Sequence, residues 1–312
     1  MFGVEVPRSP THALLLDKKN GNNLWKEAMD KELNAIMSFG TFRVPDEGED
    51  LSEYQKIPYH VVFAVKHDGQ RKARLVAGGH KTGDPTEDLY SGVVGIGNVR
   101  LLFLLAAVNG LEVRAADISN AYLYSKTQEK CMILAGPEFG KLAGKLIIIY
   151  KSLYGLKSAA ARFHEHLGVT LRRMGYRPSK GEPNLWIKDC KEHYEYIATY
   201  VDDLMIASKK VDDVIKTIEE TYDLKGVGPP EYYLGGNVEE MDEHWTKKGI
   251  RWSLNASTYI EGIIPKMEKL VGDVLSKYSS PMAESYHPEL DDSEYLDNEG
   301  ASKYRSIIGL LN

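Results

Sequence analysis

A chain of 312 residues with 43% hydrophobic content is long enough for two or three packed units around a proper core. Its formal charge of −6 speaks against a uniformly basic, phosphate-binding surface, and its most apolar run, Leu101 to Val108, falls far short of the roughly 20 residues that cross a bilayer. Residues Met1 to Pro7 carry no secretory pattern, and two cysteines, Cys131 and Cys190, in no metal-ligand spacing support neither a disulfide framework nor a zinc site, so an intracellular, membrane-free protein is expected.

The first twenty residues read as a loose lead-in. From Asn23 to Phe39, Trp25, Met29, Leu33, Ile36 and Met37 recur at helical spacing and predict an amphipathic helix. Two β-rich runs, His60 to Val65 and Ala73 to Ala77, flank His67-Asp68-Gly69-Gln70, where Asp-Gly is a hairpin signal. An apolar helix over Val99 to Asn109 stops at Gly110, a strand runs from Leu111 to about Asp117, and a helix follows Ser119. Further elements are a strand at Leu146 to Tyr150, a helix from Ala159 to Met174, a hairpin of Leu185 to Lys188 with Tyr194 to Tyr200, a strand at Leu204 to Ser208, and a helix from Val211 to Tyr222. Strand pairs joined by short turns and interleaved with helices predict an α+β fold. The acidic stretch Glu284 to Glu299, with seven Asp or Glu and no Lys or Arg, reads as a linker or mobile loop.

That stretch also explains the negative total. Lys56 to Lys81 holds six Lys or Arg against Asp68 alone, and Lys151 to Arg177 holds six against Glu165 alone. Two basic regions therefore remain as candidates for a polyanion partner.

The sharpest local feature is Tyr200-Val201-Asp202-Asp203-Leu204, two adjacent carboxylates between apolar strand residues. Paired acids in such a place are costly unless a cation compensates them. Neighbouring residues of a regular strand face opposite ways, so both acids serve one site only if the backbone turns there. A hairpin tip at Asp202 and Asp203 meets that demand. With Asp117, at the end of Arg114-Ala115-Ala116-Asp117-Ile118, three carboxylates are available to bridge two Mg²⁺ ions. Val211-Asp212-Asp213 repeats the tripeptide, but it opens a helix, where acids favour the N-terminus.

Other chemistries fail on spacing. Gly78-Gly79-His80-Lys81-Thr82 lacks the second glycine of a phosphate loop, Gly92 to Gly97 lacks dinucleotide-fold spacing, and His164 and His166 stand two apart rather than four.

Asp117-Ile118-Ser119-Asn120-Ala121-Tyr122 resembles the first palm motif of reverse transcriptases, and Tyr200-Val201-Asp202-Asp203 is similar to their second metal motif. Lys72-Ala73-Arg74-Leu75-Val76-Ala77, Lys151 to Lys157 (Lys-Ser-Leu-Tyr-Gly-Leu-Lys) and Tyr232-Tyr233-Leu234-Gly235 are similar to motifs of copia-type retrotransposon reverse transcriptases, in the same order along the chain. The resemblance runs from about Leu24 to the C-terminus and implies an RNA-directed DNA polymerase with a right-hand arrangement: lead-in 1–23, fingers 24–96 and 128–152, palm 97–127 and 153–238, and thumb with the start of a truncated connection in 239–312. By the same resemblance Asp117, Asp202, Asp203 and the Ile118 carbonyl hold two Mg²⁺, or Mn²⁺. Ser119, Asn120 and Ala121 form the turn that receives the triphosphate, Tyr122 packs under the sugar and disfavours a 2′-hydroxyl, and Lys66, Lys72 and Arg74 grip phosphates. Tyr154 and Gly155 line the nucleotide pocket, and Tyr233, Leu234 and Gly235 grip the primer.

The implied partners are an RNA or DNA template with primer, deoxynucleoside triphosphates, and the integrase, protease and ribonuclease H segments of a polyprotein. The implied location is the cytoplasm, a virus-like particle or the nucleus. Two departures stand out. Ser158-Ala159-Ala160-Ala161 replaces the family's usual Gln-Ala-Pro-Arg, and the chain stops at residues resembling the entry to the segment before a ribonuclease H domain, which reads as a fragment, a truncated gene model or a decayed copy. A catalytically silent remnant that keeps the fold is the rival expectation.

Overall fold

The structure is a computed structural model that describes residues 4–66, 69–83, 89–241, 251–279, 287, 290 and 292–311. The chain divides into two compact units, Met1–Pro229 and Pro230–Asn312.

The first unit opens with a helix, α1 (Pro10–Asn20), where a loose lead-in was expected. Ser9 Oγ accepts from the His12 N–H, Pro10 sits in the first turn, and Gly21 ends the helix in the left-handed region at φ 65°. Its Asp17 is buried and caps the next helix, α2 (Leu24–Ser38), by accepting from the N–H groups of Trp25 (3.1 Å) and Lys26 (2.9 Å). After β1 (Phe42–Arg43) and β2 (Gln55–Lys56) comes the expected hairpin, β3 (Tyr59–Val65) and β4 (Arg71–Ala77), in register from Tyr59 opposite Ala77 to Val65 opposite Arg71. The expected turn residues His67 and Asp68 lie outside the described residues. Ala13, Leu16, Trp25, Phe63, Val65 and Ala73 bury one another, so α1 and α2 form one layer with the hairpin.

Helix α3 (Ile96–Asn109) ends at Gly110 (φ 61°) as predicted and leads into β5 (Glu112–Ile118). The helix expected after Ser119 is a single 3₁₀ turn, Ala121–Tyr124, because Asn120 adopts the left-handed region (φ 54°, ψ 37°) and breaks the path into an α-helix. Then follow β6 (Cys131–Leu134), β7 (Leu146–Ile149), α4 (Ala159–Arg173), β8 (Arg177–Pro178), β9 (Leu185–Asp189), β10 (Tyr194–Tyr200), β11 (Asp203–Ser208), α5 (Val211–Glu219) and β12 (Leu224–Gly228). One sheet orders as β1-β7-β6-β2. The other, which carries the site, is six-stranded and antiparallel throughout, in the order β12-β5-β11-β10-β9-β8.

Along β11, Leu204, Met205, Ile206 and Ala207 are all fully buried, which requires cover on both faces of the sheet. Leu204 and Ile206 pack with Phe163, Leu167 and Leu171 of α4 and Val211, Val214, Ile215 and Ile218 of α5. The alternate residues turn to the opposite face, where α3 lies against β5, β10 and β11. A separate core joins the four-stranded sheet, Ile36, Leu75 and the Leu153 to Ala159 segment.

The second unit holds a three-stranded antiparallel sheet of β13 (Tyr232–Tyr233), β14 (Gly236–Glu240) and β15 (Trp252–Asn255), followed by α6 (Ser257–Val271) and α7 (Asn298–Leu311). The acidic stretch expected to be a linker lies in part outside the described residues; of the rest, 292–297 form neither helix nor strand, and Asn298 and Glu299 open α7. Helices mixed with largely antiparallel sheets, in which the short β2 runs parallel to β6, agree with the expected α+β class. Among the described residues no helix is long and apolar enough to cross a membrane.

Candidate active site

Three strands bring the predicted carboxylates together. Asp117, on β5, is the register partner of Asp203, on β11. Side chains so placed have their Cβ atoms about 5 Å apart on the same face. Asp202 reaches the same place because β10 and β11 are joined by a two-residue loop, Val201-Asp202, closed by the pair Tyr200 and Asp203. Val201 holds φ 55°, a left-handed conformation that a β-branched residue adopts at a cost of about 1–3 kcal/mol. This strained residue is the backbone turn that adjacent acids need to share one site. The tip is fastened to β5 by the Ile118 N–H, which donates to the Asp202 carbonyl at 2.8 Å.

Asp202 and Asp203 are poorly compensated. Burial, and then the neighbouring Asp117 charge, push the Asp202 carboxyl above its ordinary range. Burial, followed by Asp202 and Asp117, pushes Asp203 up to about 6. On the other side of Asp117, its register partner on β12 is Lys225, whose Nζ lies 2.8 Å from Asp117 Oδ1. Oδ1 is shielded from water and has no hydrogen-bond partner besides that ammonium. A water-shielded carboxylate oxygen beside two carboxyls that resist ionisation is a donor set suited to hard divalent cations.

Other predicted residues gather here in part. The Arg74 guanidinium lies 4.5 Å over the Tyr154 ring, and the Tyr154 and Tyr122 rings are 4.8 Å apart. Burial, and then the Asp202 charge, raise the Tyr122 hydroxyl, which places that ring within electrostatic reach of the carboxylates. Lys72 follows Arg74's face of β4, two residues away, and burial, then Arg74, Lys225 and Lys66, depress its ammonium. Lys66 stands at the far end of the hairpin, where its backbone N–H donates to the Gln70 carbonyl. The Ser119 N–H is committed to the Asp223 carbonyl at 2.8 Å, so it is not available to a triphosphate. Gly155 (φ 90°) is needed for close approach: a Cβ there would meet the Ala77 carbonyl at 2.1 Å, and one on Gly79 would meet the Gly155 carbonyl at 2.1 Å. Tyr233-Leu234-Gly235 forms a tight hairpin turn in the second unit, with Leu234 and Gly235 both left-handed (φ 49° and 84°).

Sequence reasoning missed Lys225 and Glu32. Lys225 joins the site only through the register of β12. The Glu32 carboxylate accepts from the Leu75 N–H at 3.1 Å and faces Arg74 and Lys72 electrostatically, steadying the basic strand. The departure at Ser158 also finds a local reason: its N–H donates to Glu129 Oε1 at 2.8 Å and its hydroxyl donates to the same carboxylate. His164 and His166 serve separate partners, Asn184 (2.9 Å) and Tyr222 (2.8 Å), as their spacing implied.

Residues 41–275 match the family described as reverse transcriptase (RNA-dependent DNA polymerase). The chain belongs to the reverse transcriptase family, in its copia type. Similar relatives of this reverse transcriptase domain include a retrovirus-related Pol polyprotein from transposon TNT 1-94 of Nicotiana tabacum, 27% identical over 81% of the chain and 19% of the relative. Two Gag-Pol polyproteins of transposons Ty1-DR1 and Ty1-LR2 of Saccharomyces cerevisiae are each 27% identical over 92% of the chain and 17% of the relative. The chain thus spans about a fifth of the length of the curated relatives it matches.

Proposed function

We propose that this chain is an RNA-directed DNA polymerase of a copia-type retroelement, which extends a primer 3′-hydroxyl by attack on the α-phosphate of a deoxynucleoside triphosphate. The observation that carries this reading is the convergence of Asp117, Asp202 and Asp203 at one end of the six-stranded sheet, around a water-shielded carboxylate oxygen, in a chain of the reverse transcriptase family. Asp117, Asp202 and Asp203, with the Ile118 carbonyl, would hold two Mg²⁺ or Mn²⁺ ions, which supply Lewis-acid activation of the hydroxyl and neutralise the leaving pyrophosphate. The protein's own contribution is to position the reactants and hold three carboxylates converged. Arg74, oriented on the Tyr154 ring, and Lys72 neutralise triphosphate oxygens. Tyr122 closes the floor under the sugar.

In this reading residues 24–96 and 128–152 act as fingers, 97–127 and 153–238 as palm, and 239–312 as thumb and start of connection, with Tyr233, Leu234 and Gly235 against the primer. Template and primer are the nucleic-acid partners, and the relatives' polyprotein names support further Pol segments as neighbours in a longer chain. Primer extension on poly(rA)/oligo(dT) with Mg²⁺ tests the proposal. Incorporation of dTTP that Asp202→Asn abolishes is expected; a wild-type chain that binds the primer-template but adds nothing would sink it in favour of a silent remnant.

A further inference from the structure

A second cluster of ligating atoms lies at the opposite end of the β9–β10 hairpin from β10's Asp202 tip. Sequence spacing gave no hint of it. The pair Asp189 and Tyr194 closes the strand ladder, and one step beyond it the Cys190 N–H donates to the His193 carbonyl at 2.9 Å. Lys188 is the register partner of Glu195. Because side chains alternate along each strand, Lys188, Cys190, His193 and Glu195 share one face. The tight turn between them is made possible by Lys191 in the left-handed region (φ 71°), its N–H held by Asp189 Oδ1 at 2.8 Å.

We propose that Cys190 Sγ, His193 Nε2 and a Glu195 carboxylate oxygen form a binding site for a borderline divalent cation of the Zn²⁺ class. The three ligand atoms all lie within 4.8 Å of one another, close enough for one ion to draw them into a coordination shell with bonds of about 2.0–2.3 Å. His193 Nε2 is shielded from water and has no hydrogen-bond partner; Glu195 Oε1 is 3.7 Å away, too far for a hydrogen bond. An ion between the two would satisfy both. Glu195 is only 6% exposed and its carboxylate is already aimed, since Ser208 Oγ donates to Oε1 at 2.5 Å and the Tyr176 hydroxyl donates to Oε2 at 3.2 Å. Outer partners that fix a ligand's orientation are a usual part of a metal site.

The nearest lysine leaves this carboxylate weakly paired, with Lys188 Nζ 4.0 Å from Oε2 and also 5.4 Å over the Tyr176 ring. A thiolate, a neutral imidazole and a carboxylate select a thiophilic ion over Mg²⁺, which takes oxygen ligands. The cluster opens on a cleft of about 440 Å³ that Lys209, Lys210 and Asp213 also line, leaving the fourth position to water. Its role would be to staple the β9–β10 turn, remote along the strands from the carboxylates that face the nucleotide.

Cobalt(II) alone, added to the full chain after chelator treatment, is the probe. The expected result is one equivalent that carries a near-ultraviolet thiolate-to-cobalt charge-transfer band and an intense tetrahedral visible spectrum, both displaced by Zn²⁺; cobalt held by the three aspartates gives no such band and is counted separately. Cys131 is fully buried in the core against the four-stranded sheet, out of reach of an added ion, so the band reports Cys190. Cys190→Ser should abolish the band, and His193→Gln should weaken cobalt affinity by at least about tenfold. Asp202→Asn should keep both. Glu195→Gln risks the fold through Ser208 and Tyr176, so the turn variants Cys190→Ser and His193→Gln, checked for unchanged far-ultraviolet circular dichroism, carry the test. The proposal is overturned if no cobalt equivalent carries the thiolate band, or if Cys190→Ser keeps it.

Discussion

Asp117 and Asp203 face each other as direct partners across β5 and β11, and a lysine, Lys225, occupies the same relation to Asp117 on its other side. Asp117 is thus the hinge of a row that runs from two anions to one cation. If the anions hold metal, Asp202→Asn should reduce nucleotide incorporation by at least about a thousandfold, or roughly 4 kcal/mol of barrier, with an unchanged thermal midpoint. Asp212→Asn, at the exposed start of α5, should leave kcat within a factor of two. Comparable losses for both would remove Asp202 from the metal site.

Proton competition follows from the raised Asp203 carboxyl. Its value of about 6 lies above the ordinary carboxylate value of 3.8, so the metal-free fold gains stability from this group at low pH and loses it as pH rises through about 6. Asp203→Asn should therefore raise the metal-free melting temperature at pH 7.5 but not at pH 4. Conversely, the Mg²⁺ concentration for half-maximal activity should climb as pH falls below about 6. A Mg²⁺ requirement that is flat from pH 7.5 to 5.5 would contradict the assignment.

Tyr122 sits on a 3₁₀ turn rather than at the start of an α-helix, yet its ring still lies against Tyr154 and within reach of Asp202. Removing it should open space where a 2′-hydroxyl would collide. Tyr122→Ala is expected to raise the kcat/KM ratio of ribo- to deoxyribonucleotide by at least about tenfold, equivalent to roughly 1.4 kcal/mol. An unchanged ratio with persisting activity would leave Tyr122 as a core residue, packed between Tyr154 and Phe163.

Salt dependence separates the two basic runs. In the second, Lys151 and Lys157 donate to the carbonyls of Tyr124 and Thr82, Arg162 pairs with Glu165, and Arg172 lies over Trp186. The hairpin cations are the ones gathered beside the carboxylates. Reversing Lys72 and Arg74 to glutamate should flatten the slope of log affinity for primer-template against log salt by about two, whereas Lys157→Glu should change it by less than one. Equal slopes for all variants would take the hairpin off the contact surface.

For the fold itself, Asp17→Ala should cost about 1–2 kcal/mol in denaturant unfolding, because the buried carboxylate accepts both leading N–H groups of α2. Loss of less than half of that would show that solvent replaces it.

What the sequence disclosed follows from the range of each signal. The hairpins, α2 to α5 and the acidic pair were legible because apolar periodicity, Gly110 and adjacent carboxylates in an apolar strand are local features. Helix α1 escaped notice because only Ala13, Leu16 and Asp17 are buried while Leu14 and Leu15 face out, leaving no periodic stripe; Ser9-Pro10 was its only mark. The form of the turn at Tyr122 depended on one left-handed residue, Asn120. Lys225, and the company of Cys190, His193 and Glu195, depend on strand register, which spacing in a single chain does not report.

The interlock of Ala77, Gly79 and Gly155 sets the mechanics of the β3–β4 hairpin. Ala77's N–H donates to the Tyr154 carbonyl at 2.7 Å, and neither glycine leaves room for a Cβ, so the hairpin base and the Tyr154-Gly155 loop move as one body. The seven residues of each strand extend about 23 Å from that anchorage. Such a lever has its fulcrum at Tyr154 and its long arm at Lys66. A swing large enough to carry Lys66 several ångströms displaces Arg74, about 10 Å from the fulcrum, by less than half as much, so the cation at the tip sweeps farther than the one stacked on Tyr154.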